Sequence, residues 1–339
     1  MRALVTGGGG FLGRYIVEQL LARGDQVTVF CRGAYPELEQ AGAALVRGDL
    51  QNAEAVRAAL DRELDVVFHV AAKAGVWGPW EDFYRTNVLG TRHVIAACQA
   101  RGIQRLVYTS SPSVVFDNQA HEGCDESLPY PETFESPYPH TKSLAEREVL
   151  AANGEQGLLT TSLRPHLIWG PRDNHILPGL LQRAQDGQLI QVGPGTNQAD
   201  LTYVEDAARA HLLAAEALAP GSPAAGAAYF ISQDEPVNVW DWIKALLARL
   251  GLPPVRRRLP LSAARALGGA MELAYRALPL QGEPRLTRFL ASELAKSHYY
   301  DIGRAKKELG YAPQFTMEEA LERTLPYLRT HILQSAETP

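Results

Sequence analysis

Cysteine is scarce in this sequence. Cys31, Cys98 and Cys124 are the only three in 339 residues, and an odd number so far apart builds neither a disulfide framework nor a C-x-x-C metal knuckle. A reducing cytoplasm is the expected compartment. Positive charge is not in excess either: 33 Lys+Arg against 38 Asp+Glu give a net charge of −5. The chain as a whole therefore has no electrostatic footprint for nucleic acid. Nine histidines include no His-x-x-x-His or H-E-x-x-H spacing, so no metal site is expected. Long apolar runs are missing. The longest charge-free stretch, residues 217–233, is broken by Pro220 and Pro223, whereas a membrane span needs about 20 apolar residues in one helix. No transmembrane helix is expected, and because Ala3-Leu4-Val5 begins β-like and meets glycine at Gly7, no leader peptide is expected ahead of the fold.

What is present is an ordinary globular composition, 46% hydrophobic and 21% charged. The length suits one large α/β unit or two unequal lobes at about 150 residues per domain. Short β-branched runs (Arg2–Val5, Val27–Cys31, Ala44–Val46, Asp65–Val70, Arg105–Ser110, Thr160–Leu163) alternate with helical patterns. Examples are Phe11–Arg23, closing on Gly24, and Ala53–Leu60, behind an Asn52 cap. This rhythm predicts a Rossmann-type α/β fold, a doubly wound parallel sheet with helices on both faces. After about residue 165 it gives way to Gly/Pro-rich joints between helices. The expected division is therefore 1–165 for dinucleotide binding, with later segments free to return to it, and 166–339 for a smaller, mainly helical substrate lobe.

Thr6-Gly7-Gly8-Gly9-Gly10-Phe11-Leu12-Gly13 joins the first strand to the first helix. Glycines there let the backbone turn tightly and approach a pyrophosphate, whose charge sits on the helix N-terminus. At the end of the second strand, where NAD enzymes place a carboxylate for the ribose 2′-OH, the sequence reads Phe30-Cys31-Arg32. Arg32 suits a 2′-phosphate, so NADP(H) is expected ahead of NAD(H), while Asp49 is placed for adenine.

Tyr138 and Lys142 stand four apart at the start of a helix, hence on one face. The lysine charge and the positive helix end are expected to lower the phenol pKa, so that Tyr138 exchanges a proton with a substrate oxygen. The fifth strand delivers Ser111 and Ser113 to the same sheet edge, where a hydroxyl hydrogen-bonds the reacting oxygen.

Together these residues resemble the extended short-chain dehydrogenase/reductases, over nearly the whole chain. The resemblance is carried by the glycine loop, Gly48-Asp49-Leu50, His69-Val-Ala71-Ala72, Asn87, Tyr108-Thr-Ser-Ser111, Tyr138-x-x-x-Lys142 and Arg164-Pro165-x-x-Ile168-Trp169-Gly-Pro171. It implies that Ser111 is the catalytic serine, with Ser113 in reserve, and that Lys142 also touches the nicotinamide ribose. Leu50, Ala71, Pro165 and Ile168 would line the cofactor. The tail, Gly282–Leu290 and Leu309-Gly-Tyr-Ala-Pro313, looks like the 3β-hydroxysteroid dehydrogenase branch. Tyr35-Pro-Glu-Leu38 and Ala71-Ala-Lys-Ala-Gly-Val-Trp-Gly78 look closer still to bacterial 2-alkyl-3-oxoalkanoate reductases of long-chain olefin biosynthesis. That implies NADPH-dependent reduction of a lipid-like β-keto acid at its 3-keto group. Steroid or sterol-carboxylate dehydrogenation is the alternative, and a redox-sensing binding protein the reading from another class.

For the substrate, Lys73 is a candidate partner of a carboxylate or a solvated loop lysine, and Trp77 a pocket wall or plain core. The segment Leu261–Leu280 alternates leucines with Arg265, Glu272 and Arg276. It is expected as a mobile amphipathic cover over the cleft, with peripheral contact to lipid or to a pathway partner enzyme as the alternative; a homo-oligomer stays open.

Overall fold

The computed structural model describes residues 1–60, 63–278 and 280–333; the last positions of the expected second lobe lie outside them. Seven strands, β1 (Arg2–Thr6), β2 (Gln26–Cys31), β3 (Ala44–Arg47), β4 (Val66–His69), β5 (Arg105–Thr109), β6 (Leu159–Pro165) and β7 (Ala227–Ile231), form one parallel sheet. Across it they run β7-β6-β5-β4-β1-β2-β3. The strands read as unbroken apolar runs because both faces are covered: Ala3 and Val5 enter one core, Leu4 the other. The chain order reverses between β1 and β4, where Thr6 lies level with His69, and a crevice opens there at the carboxyl ends.

Local signals fix the helices around it. The Asn52 side chain accepts from the N–H groups of Glu54 and Ala55 at the start of Ala53–Ala59. Gly102, at φ 73°, ends Gly90–Arg101 in the left-handed conformation that glycine adopts without strain. Gly24 is likewise left-handed, after Phe11–Ala22.

Residue 165 is not a single crossing point. Helix Val204–Ala217 returns to pack on Phe11–Ala22, and Gln19 Nε2 donates to the Glu205 carbonyl at 2.8 Å. Then β7 adds to the sheet edge, with Ala227 beside Thr161 and Ile231 beside Pro165. The rest of 166–333 has its own apolar core around Trp169, Leu177, Trp240, Leu246 and Leu321. Among the described residues no helix is long and apolar enough to cross a membrane, and no cluster of His, Cys, Asp or Glu could hold a metal.

Candidate active site

The glycine loop is folded tightly over the end of β1. Gly7 has φ 70°, and a Cβ there would meet Ala71 Cα at 2.8 Å; one on Gly13 would meet the Gly7 carbonyl oxygen at 2.2 Å. Gly10 N–H donates to that oxygen at 2.9 Å. Helix Phe11–Ala22 begins with no side-chain cap and no acid in its first turn. The N–H groups of Phe11, Leu12 and Gly13 thus carry the positive helix end with no side-chain acceptor. This donor set and the space kept by glycine fit the pyrophosphate of a dinucleotide.

At the end of β2 and β3 the exposed Arg32 is joined by Arg47, which donates to the Arg32 carbonyl at 3.5 Å. Neither makes an ion pair among the described residues. Asp49 turns back on its own loop, accepting from Gln51 N–H at 2.9 Å, and Leu50 is buried against Gly90. Ala71 N–H donates to Thr6 Oγ1 at 3.2 Å. Pro165 ends β6 and Ile168 pairs with Thr202. Between them Leu167 holds φ 41°, a backbone conformation that costs energy for a branched residue.

Helix Pro137–Ala151 starts at the same sheet edge, tied down where Ser136 Oγ donates to the Val76 carbonyl at 2.8 Å. Asn87 fastens it from the other side. Its Nδ2 donates to Thr141 Oγ1 at 3.1 Å, while its Oδ1 accepts from Lys73 N–H at 2.7 Å. Tyr138 is hydrogen-bonded to Ser111, and Ser113 Oγ donates to Ser111 Oγ at 2.9 Å. Both serines therefore belong to one hydroxyl chain that ends on the phenol. Lys142 lies one turn further on, 2% exposed. Its Nζ donates to the Thr109 carbonyl at 2.5 Å and sits 4.2 Å from the Tyr108 ring centroid.

The acidities run against the expectation. Burial pushes the Tyr138 phenol up to about 12, opposed by the Ser111 hydrogen bond and reinforced by the charge of Glu293. Burial also brings Lys142 down to about 7, which Glu146 partly offsets. The lysine is aimed at Thr109 rather than at Tyr138, and desolvation costs the charge it was expected to lend. Beneath it His69 is held neutral at about 3, by burial first and by the Lys142 charge second. Its ring bridges Thr6 Oγ1 at 2.8 Å and Thr91 Oγ1 at 2.9 Å.

On the substrate side, Lys73 Nζ stands 3.8 Å from Asp82 and 5.2 Å from the Phe83 ring centroid, so its charge already has a partner. Trp77 meets Tyr275 edge-on, with Arg276 5.5 Å from its ring centroid. It joins the loop after β4 to helix Leu261–Ala277. That helix is fastened at several points: Arg265 pairs with Glu135 at 2.6 Å, Glu272 accepts from Arg288 N–H at 2.7 Å, and Gly268 would clash with Thr287 at 2.7 Å if it carried a Cβ. Its other face leaves Leu267 44% and Leu273 69% exposed.

The placement of three groups escaped the sequence reading. Glu146, one turn beyond Lys142, forms a fully buried ion pair with Arg164 at 2.6 Å, joined by Ser162 at 2.7 Å; the i, i+4, i+8 series Tyr138, Lys142, Glu146 was its only signal. Tyr35 lies across Gly9, whose Cβ would meet the ring at 2.1 Å. Glu293 carries no local signal at all.

Similar proteins carry this architecture. The 3-beta hydroxysteroid dehydrogenase/isomerase family model matches residues 4–261. A 2-alkyl-3-oxoalkanoate reductase of Stenotrophomonas maltophilia is 48% identical, covering 95% of this chain and 98% of its own. The human sterol-4-alpha-carboxylate 3-dehydrogenase, decarboxylating, is 37% identical over 97% of this chain and 88% of its own. Among solved structures, MoeE5 in complex with UDP-glucose and NAD superposes with a TM-score of 0.74 at 28% identity, covering 97% of this chain and 99% of that one. With the glycine loop, the Tyr138/Lys142 pair and the strand order all in place, the chain belongs to the 3-beta hydroxysteroid dehydrogenase/isomerase family.

Proposed function

We propose that this protein is an oxidoreductase that reduces the 3-keto group of a 2-alkyl-3-oxoalkanoic acid to the 3-hydroxy acid, with NADPH as reductant. The observation that carries the reading is the hydroxyl chain Ser113–Ser111–Tyr138 at the sheet edge that also bears the glycine loop. The nearly full-length relative at 48% identity supports the substrate class. The glycine loop and the start of Phe11–Ala22 would hold the pyrophosphate, and Ala71, Pro165 and Ile168 would lie along the cofactor. Arg32 and Arg47 supply two cations where a 2′-phosphate needs them, which favours NADPH over NADH. Bound there, a reduced nicotinamide supplies the hydride that forms the new C–H bond at C3.

As that bond forms, the carbonyl π pair moves onto oxygen. Tyr138 breaks its O–H bond to give this oxygen a proton, and the serine pair holds the oxygen by hydrogen bonding. A phenol pushed up to about 12 starts the cycle protonated, the form that reduction requires. Lys142, whose Nζ is held on the Thr109 carbonyl, would touch the ribose of a bound cofactor and help position it.

The test sets NADP⁺ reduction by a 2-alkyl-3-hydroxyalkanoic acid beside that by a 3β-hydroxysteroid. The acid is expected to turn over and the steroid not. Turnover of the steroid alone would overturn the substrate assignment in favour of steroid dehydrogenation.

A further inference from the structure

Four consecutive glycines, Gly7 to Gly10, form the turn after β1, and they make room for different neighbours. Gly7 lies against Ala71, a Cβ on Gly8 would meet Val29 at 2.9 Å, and one on Gly10 would meet the Gly7 carbonyl oxygen at 3.2 Å. Those three serve the packing of the loop on itself and on the sheet. Gly9 does not. Its φ is not positive, so its backbone makes no demand for glycine, yet a Cβ there would run into the ring of Tyr35. The space over Gly9 is kept for an aromatic side chain that arrives from the segment after β2.

A tight return of the chain brings it there. β2 ends at Cys31, Arg32 is exposed, and the chain folds back until the Tyr35 hydroxyl stands 3.1 Å from the place of a Cβ on Gly33. The backbone of Tyr35 is anchored at the start of helix Pro36–Gln40, where its carbonyl accepts from the N–H of the buried Leu38 at 2.9 Å. Its half-buried ring packs on the core beside β1 and β2 and so bridges the glycine loop and the end of β2. The hydroxyl makes no hydrogen bond among the described residues. Glu37, two residues further on, is paired with Arg14 at 3.1 Å.

We propose that Tyr35 is a ligand of the 2′-phosphate of NADPH, its hydroxyl donating to a phosphate oxygen while Arg32 and Arg47 supply the opposing charge. The inference rests on the NADPH reading above. A dinucleotide whose pyrophosphate lies on the glycine loop turns its adenosine ribose toward the end of β2, which is the interval that the Tyr35 ring bridges. Arg32 adjoins Gly33, against which the hydroxyl lies, and Arg47 reaches the Arg32 carbonyl at 3.5 Å. One neutral donor and two cations suit a phosphate group, which offers three strong acceptor oxygens and close to two negative charges. A 2′-hydroxyl offers neither, so this contact favours one cofactor over the other.

Equilibrium binding to the enzyme without substrate tests this, read from the fluorescence of NADPH and of NADH. Wild type is expected to bind NADPH more tightly. Tyr35→Phe removes one oxygen that bonds to nothing in the protein, so the melting temperature without cofactor should not move. NADPH should bind that variant about tenfold more weakly and NADH equally well. Gly9→Ala displaces the ring, so adding Tyr35→Phe to it should weaken NADPH no further. Equal effects of Tyr35→Phe on the two cofactors, no effect on either, or a full tenfold loss in the Gly9→Ala background overturns the proposal. Should Gly9→Ala not fold, the split between the cofactors in Tyr35→Phe decides alone. Wild type that prefers NADPH, with Tyr35→Phe unaltered, would remove Tyr35 and leave the NADPH reading standing, whereas wild type that prefers NADH would remove both.

Discussion

Helix Pro137–Ala151 treats charge in opposite ways at successive turns of one face. Further along, against β6, Glu146 and Arg164 neutralise each other, with Tyr130 and Ser162 also bonded to the carboxylate at 2.7 Å. Although burial alone would raise it, the arginine holds Glu146 below its ordinary range. One turn earlier, toward the cleft, Lys142 is buried with no ion pair among the described residues, and burial brings it down to about 7. The lesson is that burial alone does not decide the ionisation of a group in this molecule; the presence of a partner does. The fold pairs the charge it buries against β6 and leaves Lys142 without a counter-ion beside the proposed cofactor site.

Breaking the completed side should cost most. Glu146→Gln leaves Arg164 buried without its counter-ion, and the fold is expected to lose about 3–5 kcal/mol, read as a lowered midpoint in urea. A loss under about 1 kcal/mol would mean that water relaxes around Arg164 and that the pair is not structural.

The opposite sign is expected for Lys142→Met. In the folded protein burial brings Lys142 down to about 7, from the ordinary lysine value of about 10.5. Below pH 7 the lysine is charged in both states and the folded protein bears the full cost of burying that charge. The cost fades as pH rises from about 7 to 10.5, where the unfolded chain also gives up its proton. Allowing about 1 kcal/mol for the lost bond to Thr109, the variant should be more stable by about 4 kcal/mol near pH 6. The gain should shrink toward pH 10 while turnover is lost. Melting curves across that range check it; a gain that grows with pH would contradict the linkage.

A smaller effect sharpens the comparison at an exposed charge. Arg32→Ala is expected to weaken NADPH by about 1.5–3 kcal/mol and leave NADH nearly unchanged, read from the two KM values. Equal loss for both would place Arg32 outside the phosphate site.

The parts of this picture that were legible in the sequence are the local ones. The glycine loop, the Asn52 cap and the first six strands of the sheet follow from composition over a few residues. Tyr138 and Lys142 follow from helical spacing. The return of Ala227–Ile231 to the sheet was not legible, because its short apolar run sits between proline-rich joints and its partner is more than sixty residues away. The same holds for the acidity of Tyr138: spacing brings Lys142 onto the same face, but only the fold shows Nζ turned to the Thr109 carbonyl. Lys73 was a free cation in the sequence and has a neighbour, Asp82, in the structure.

Tyr138 is the proposed proton donor at the cleft. The direct measurement is kcat for NADP⁺ reduction by a 2-alkyl-3-hydroxyalkanoic acid in Tyr138→Phe, with the melting temperature followed in parallel. A fall of about 10²–10⁴-fold with an unchanged melting temperature is predicted; a kcat within about threefold of wild type would contradict it.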